Sequence, residues 1–173
     1  MTFLMLAAMV IVGLIASAVE HIIASVIGTF LGGNFAFAFI NYLTFPGTIL
    51  HELSHAVFAT LTGARVTEIS FFDFGITLGH VNYIPRGPKL MRELQNCLTA
   101  CAPVITGTVA LYFLFKLLTI TNSTIGYVGV IYLIVSVITH MSMSIMDVIN
   151  YFRGIRAGAL FFALLNLIFL VIL

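Results

Sequence analysis

Charge is what this sequence has least of. Among 173 residues, Lys and Arg number seven and Asp and Glu six, 8% in all, against 61% hydrophobic residues. An ordinary soluble domain is about 25% charged. So few charges cannot solvate the surface of a compact domain, which excludes a soluble globular protein. Disorder is excluded as well, because it requires low hydrophobicity, and mean hydropathy here is +1.18. A net charge of +1 leaves no electrostatic footprint for nucleic acid. Cysteine is nearly as scarce. Cys97 and Cys101, four apart and without neighbouring His, imply neither a disulfide framework nor a cysteine zinc site. They read as small packing residues on one helix face. Repeats and low-complexity segments are also missing. What remains is an integral membrane protein whose partner is the lipid bilayer, and in which every polar residue inside an apolar run demands a reason.

The apolar runs are long and continuous, which favours helices of roughly 20 residues over a barrel of alternating ten-residue strands. They predict a single-domain (1–173), all-α polytopic membrane protein with about five transmembrane helices, at about 3–31, 35–62, 92–118, 125–152 and 157–173. The first run has no preceding basic residue and continues past Glu20-His21, so it reads as an uncleaved helix. Gly32-Gly33-Asn34 reads as a turn, Pro46 as a kink in the second helix, and Gly63 as that helix's stop. Between the second and third helices, about 64–84, the character changes. Phe72, Phe74, Ile76 and Leu78 alternate with Asp73, Gly75 and Thr77, and period two means strand. A short β-hairpin or ribbon is expected there, with bends at Gly75 and Gly79.

Five spans place Arg65, Arg86, Lys89, Arg92, Arg153 and Arg156 on one side and Lys116 on the other. The positive-inside rule then puts the N-terminus in the cytoplasm and the C-terminus outside a cell (inner) membrane. Glu20 and His21 lie mid-span in a small, polar stripe with Ser17, Ala24, Ser25 and Gly28, which fits either a packing seam or a water path. Gly154 and Gly158 are spaced for close packing of the last helix.

His51-Glu52-Leu53-Ser54-His55 is an HExxH pattern. On a helix, His51 and His55 share a face, so both imidazoles reach one metal, and Glu52 stands beside it as the catalytic base of a hydrolase. A catalytic zinc takes three protein ligands and keeps one open position. The extended metzincin pattern fails, since Leu61 stands where a third His would be. Glu68, Asp73, His80, Glu93, His140 and Asp147 are candidates for the third ligand. Asp147 and His55 fall at similar depth, which favours Asp147, with Glu93 as its rival. His140, spaced seven before Asp147, would share a face with Ser144 and Asp147 as a buried hydrogen-bonding group or a direct participant. His80 reads as a loop histidine with a chance of meeting substrate.

Phe45-Pro46-Gly47-Thr48-Ile49-Leu50-His51-Glu52-Leu53-Ser54-His55-Ala56 resembles the motif helix of the site-2 protease family of intramembrane zinc metalloproteases, most closely its compact bacterial-type members. Thr62-Gly63-Ala64-Arg65-Val66 resembles the strand region that follows. Ala102-Pro103-Val104-Ile105-Thr106-Gly107 resembles the family's small-residue and proline motif, and Ser144-Ile145-Met146-Asp147 its later Asp motif. Better-known members end that motif Asp-Gly, whereas Val148 follows Asp147 here. The resemblance implies zinc held by His51, His55 and Asp147, Glu52 as general base, and hydrolysis of a peptide bond in or near a transmembrane segment of a membrane protein substrate. Asn150, Ser144 and His140 are possible substrate or transition-state contacts. The strand-like segment would offer an edge to an extended substrate. A membrane transporter or channel subunit with an intramembrane metal or proton site is the alternative.

Overall fold

The computed structural model describes residues 2–32, 36, 39–40, 42–71 and 79–172. Five helices and one hairpin are named here: α1 (Thr2–Leu31), α2 (Phe45–Leu61), β1 (Arg65–Ser70), β2 (His80–Ile84), α3 (Lys89–Ile120), α4 (Thr124–Thr139) and α5 (Ile145–Ile172). Helices α1, α3 and α5 are long and apolar enough to cross a membrane, and α4 is apolar but shorter. The expected alternation at 72–78 and the turn residues Gly33 and Asn34 lie outside the described residues.

Described residues 36, 39–40 and 42–43 are helical, the chain turns at Thr44, and α2 begins at Phe45. Pro46 sits in the first turn of α2. A first-turn proline loses nothing, because its missing N–H has no partner there anyway. Pro46 thus marks a helix start rather than a kink within one helix. The other end follows expectation. Gly63 adopts φ +87°, and the Ala64 N–H donates to the Ala59 carbonyl at 2.8 Å, closing the helix as glycine caps do.

Strands β1 and β2 pair antiparallel, from Arg65 opposite Ile84 to Ser70 opposite His80, with Thr67 bulged out between Val66 and Glu68. The hairpin is tied to the bundle by Gln95, which is fully buried. Its Oε1 accepts from the Arg86 N–H at 2.8 Å, and its Nε2 donates to the carbonyls of Thr62 (2.9 Å) and Arg86 (3.1 Å). Gln95→Leu strands these groups, each at about 1–3 kcal/mol if left unpaired. Faster amide exchange across 80–86, with slower-exchanging α3 and α5 unchanged, is the expected result.

The last third of the chain departs from the expected spans. Instead of helices at 125–152 and 157–173 separated by a turn at Arg153–Arg156, α4 stops at Thr139. The chain runs irregularly through 140–144, and α5 then passes unbroken through Gly154. The physical reason is a capping box. The Ser144 N–H donates to Asp147 Oδ2 at 2.9 Å, and the Asp147 N–H donates to Ser144 Oγ at 3.1 Å. A Ser followed three residues later by an acid before an apolar run is a helix-start signal. It outweighs hydropathy, which stays high across the break. His140 therefore does not share a helical face with Ser144 and Asp147.

The path of the chain follows. The Tyr151 hydroxyl donates to the Leu6 carbonyl at 2.9 Å, and Asn166 Nδ2 donates to Thr2 Oγ1 at 3.0 Å. The start of α1 and the later turns of α5 thus lie at one end of the bundle, not at opposite ends. Helices α4 and α5 together make one traverse of the bundle, where two separate passes were expected. Helix α5 packs along α3 so closely that a Cβ on Gly154 would overlap the Glu93 carbonyl oxygen. Cys97 and Cys101 are both free and buried in this seam.

Candidate metal centre

One turn of α2 places His51 above His55, with ring centroids 4.8 Å apart. Each ring is held by its Nδ1. His51 Nδ1 donates to the His140 carbonyl at 2.7 Å, and His55 Nδ1 donates to the Thr99 carbonyl at 2.8 Å. A carbonyl only accepts, so both Nδ1 atoms carry the proton and both Nε2 atoms present lone pairs. These two lone pairs face each other at 3.1 Å. Two acceptors so close need a cation between them or a buried imidazolium. Zinc–nitrogen bonds of about 2.0–2.1 Å in tetrahedral geometry put two nitrogens about 3.3–3.4 Å apart, so the pair fits a metal. Holding a ligand histidine by its other nitrogen is also how metal sites fix tautomer and ring direction.

Asp147 completes the group. Its Oδ1 lies 3.8 Å from His55 Nε2, and the ligand atoms of His51, His55 and Asp147 all fall within 4.8 Å of one another. The two carboxylate oxygens divide their work. Oδ2 takes the capping bonds from the Ser144 N–H and from Ser144 Oγ (2.6 Å), which leaves Oδ1 facing His55 Nε2. Glu93 is not in this group. Its main chain packs against Gly154 instead.

These residues line a cavity of about 550 Å³ together with Glu52, Gly79, His80, Val81, Asn82, Tyr83, Asn96, Asn150 and Arg153. Residues 79–83 are consecutive, and the two faces of a strand alternate. Strand β2 therefore presents its edge to the cavity. Glu52 is buried, at 7% exposure. Gly79 lies directly over it: a Cβ there would come within 2.7 Å of Glu52 Cγ and 3.0 Å of Oε1. Gly79 was expected only as a bend; its closeness to Glu52 leaves no local sequence signal.

Of the remaining candidates, Asp73 lies outside the described residues. His140 is buried and bonded on both nitrogens, to the Ser136 carbonyl at 3.1 Å and to Thr48 Oγ1 at 2.9 Å. It reaches the site through its carbonyl. The Ser144 hydroxyl is engaged with Asp147, while Asn150 faces the cavity. His80 opens β2 in the cavity wall, 3.6 Å from Glu68. In α1, Glu20 accepts a hydrogen bond from Ser142 in the 140–144 break.

Tyr83 and Asn96 were not anticipated. The Tyr83 hydroxyl donates to Asn96 Oδ1 at 3.4 Å, bridging β2 to α3 across the cavity wall. Burial, and secondarily the Asp147 carboxylate, pushes the Tyr83 phenol up to about 12 from its ordinary 10.0. The phenol therefore stays a hydrogen-bond donor throughout the neutral range. Because its folded value is raised, its contribution to stability is complete below about 10 and is lost as pH climbs through about 12. Spectrophotometric titration should show one late phenolate fewer in Tyr83→Phe, with a smaller alkaline loss of stability in that window.

Fold and site together define a class: a helical bundle with apolar helices of membrane-crossing length and a His-His-Asp group that could hold a metal ion beside a buried glutamate. No family model matches the chain, and neither the curated proteins nor the solved structures contain a significant match.

Proposed function

We propose that this protein is an intramembrane zinc metalloprotease of the site-2 type, cutting a peptide bond in or near a transmembrane segment of a membrane protein. The observation that carries the reading is Glu52, set beside the three-residue ligand group in a cavity walled by a strand edge. Zinc, when bound there, would polarise the scissile carbonyl and lower the pKa of a water. Glu52 is placed to accept a proton from an attacking water and would pass it to the leaving nitrogen. A helical substrate hides its carbonyls in hydrogen bonds, so it must unwind before cleavage. The edge of β2 offers the unwound stretch main-chain partners, by strand addition. Asn150, which lines the cavity, is placed to offer its amide N–H to developing oxyanion charge.

The end of the bundle that carries the hairpin, Lys89 and Arg92 faces the cytoplasm in this reading, by the positive-inside rule. With Thr2 and Asn166 in contact, the start of α1 and the end of α5 share that side.

The test is reconstitution in liposomes with zinc and a panel of single-span membrane proteins. Cleavage within or next to a span is expected, stopped by a chelator and restored by zinc. Zinc flux across the vesicles without cleavage would replace the protease reading with a transporter.

A further inference from the structure

Both site histidines rest on main-chain carbonyls, yet a carbonyl inside a helix is normally taken by the N–H four residues on. For His51 the explanation is the end of α4. His140 follows the last helical residue, and its carbonyl is among the terminal ones left without an intrahelical donor. For His55 that explanation fails, because Thr99 lies well inside α3. The residue four positions after Thr99 is Pro103, the proline within this helix. Proline has no N–H, and its ring pushes the carbonyl four residues back away from the helix axis. The Thr99 carbonyl is thereby left without its intrahelical donor, and it is the atom that receives His55 Nδ1 at 2.8 Å.

We propose that Pro103 is a positioning residue for the metal site: by withholding an N–H from α3 it frees the Thr99 carbonyl to fix the tautomer and direction of His55. The inference rests on the metal reading of the site and is independent of proteolysis. Restoring an N–H at position 103 gives the Thr99 carbonyl an intrahelical donor that competes with His55. The imidazole then loses its anchor and samples the other tautomer. Losing such an outer partner typically lowers metal affinity about 10–100-fold. Removing proline from a helix interior, in contrast, favours the helix.

Pro103→Ala therefore carries a signature that a merely structural proline would not produce. Zinc affinity, measured by competition with a chromogenic chelator, falls about 10–100-fold while thermal stability of the metal-free protein holds or rises. Histidine ¹⁵N shifts of the metal-free wild type in micelles provide a second readout that needs no variant. His51 and His55 should both keep a proton fixed on Nδ1, with one further proton shared between their facing Nε2 atoms. In Pro103→Ala, His55 alone should become mixed, with His51 as internal control. Wild-type affinity with an unchanged His55 tautomer in Pro103→Ala overturns the proposal. So does a wild-type His55 whose Nδ1 carries no proton, whether or not the variant folds. Wild-type protein that binds no zinc but keeps both Nδ1 protons fixed removes the metal reading and leaves the role of Pro103 in holding His55 standing.

Discussion

Glu52→Gln should lower peptide hydrolysis by about 10²–10⁴-fold, the usual contribution of a general base, while zinc stays bound. The side chains are the same size, so the substitute fits beneath Gly79, where there is no Cβ to meet. The three ligand residues do not include Glu52, so the ion keeps its donors. What is lost is the capacity to take a proton, because an amide oxygen is a poor base. Two measurements check this on one preparation: the cleavage rate in liposomes and zinc content by atomic absorption. Unchanged turnover would take Glu52 out of the chemistry. Zinc lost together with turnover would make Glu52 a ligand.

Asp147→Asn should act on the opposite quantity. The substitute's amide oxygen can still accept the Ser144 N–H, so the start of α5 keeps its cap. The negative ligand atom that Oδ1 offers beside His55 Nε2 is gone, and neutral amide oxygen is a weak zinc donor. Zinc affinity should fall by more than the roughly 10–100-fold that loss of an outer partner costs, with hydrolysis falling in step and recovering at high zinc. Glu93→Gln provides the contrast, since Glu93 lies outside the ligand group, and its zinc affinity should match wild type. The reverse ranking would hand the third ligand to Glu93.

The two histidines were legible because their relation is local. A helix repeats every 3.6 residues, so positions four apart share a face whatever surrounds them. The stop at Gly63 was legible for the same reason; the hairpin between α2 and α3 was expected from the alternation at 72–78, which lies outside the described residues, whereas the strands described are Arg65–Ser70 and His80–Ile84. The break at 140–144 was also written locally, in Ser144 and Asp147, but hydropathy concealed it. Apolar content stays high from α4 into α5, and it registers burial in lipid or protein rather than backbone continuity. That concealment produced the merged helix at 125–152.

By itself, the sequence determined that this is a chain of long apolar helices with two histidines one helical turn apart and a glutamate between them. Only the tertiary structure decided which carboxylate joins them, that Gly79 and the β2 edge cover Glu52, that Tyr83 and Asn96 wall the cavity, and which carbonyls hold the imidazoles. The physical reason is one of range. Helical period and capping act within a few residues and leave their mark in composition and spacing. Asp147 and the carbonyl partners come from elements distant in sequence, brought together by how α3, α4 and α5 cross. That crossing is set by packing contacts such as Gly154 against the Glu93 carbonyl, which no stretch of neighbouring residues records.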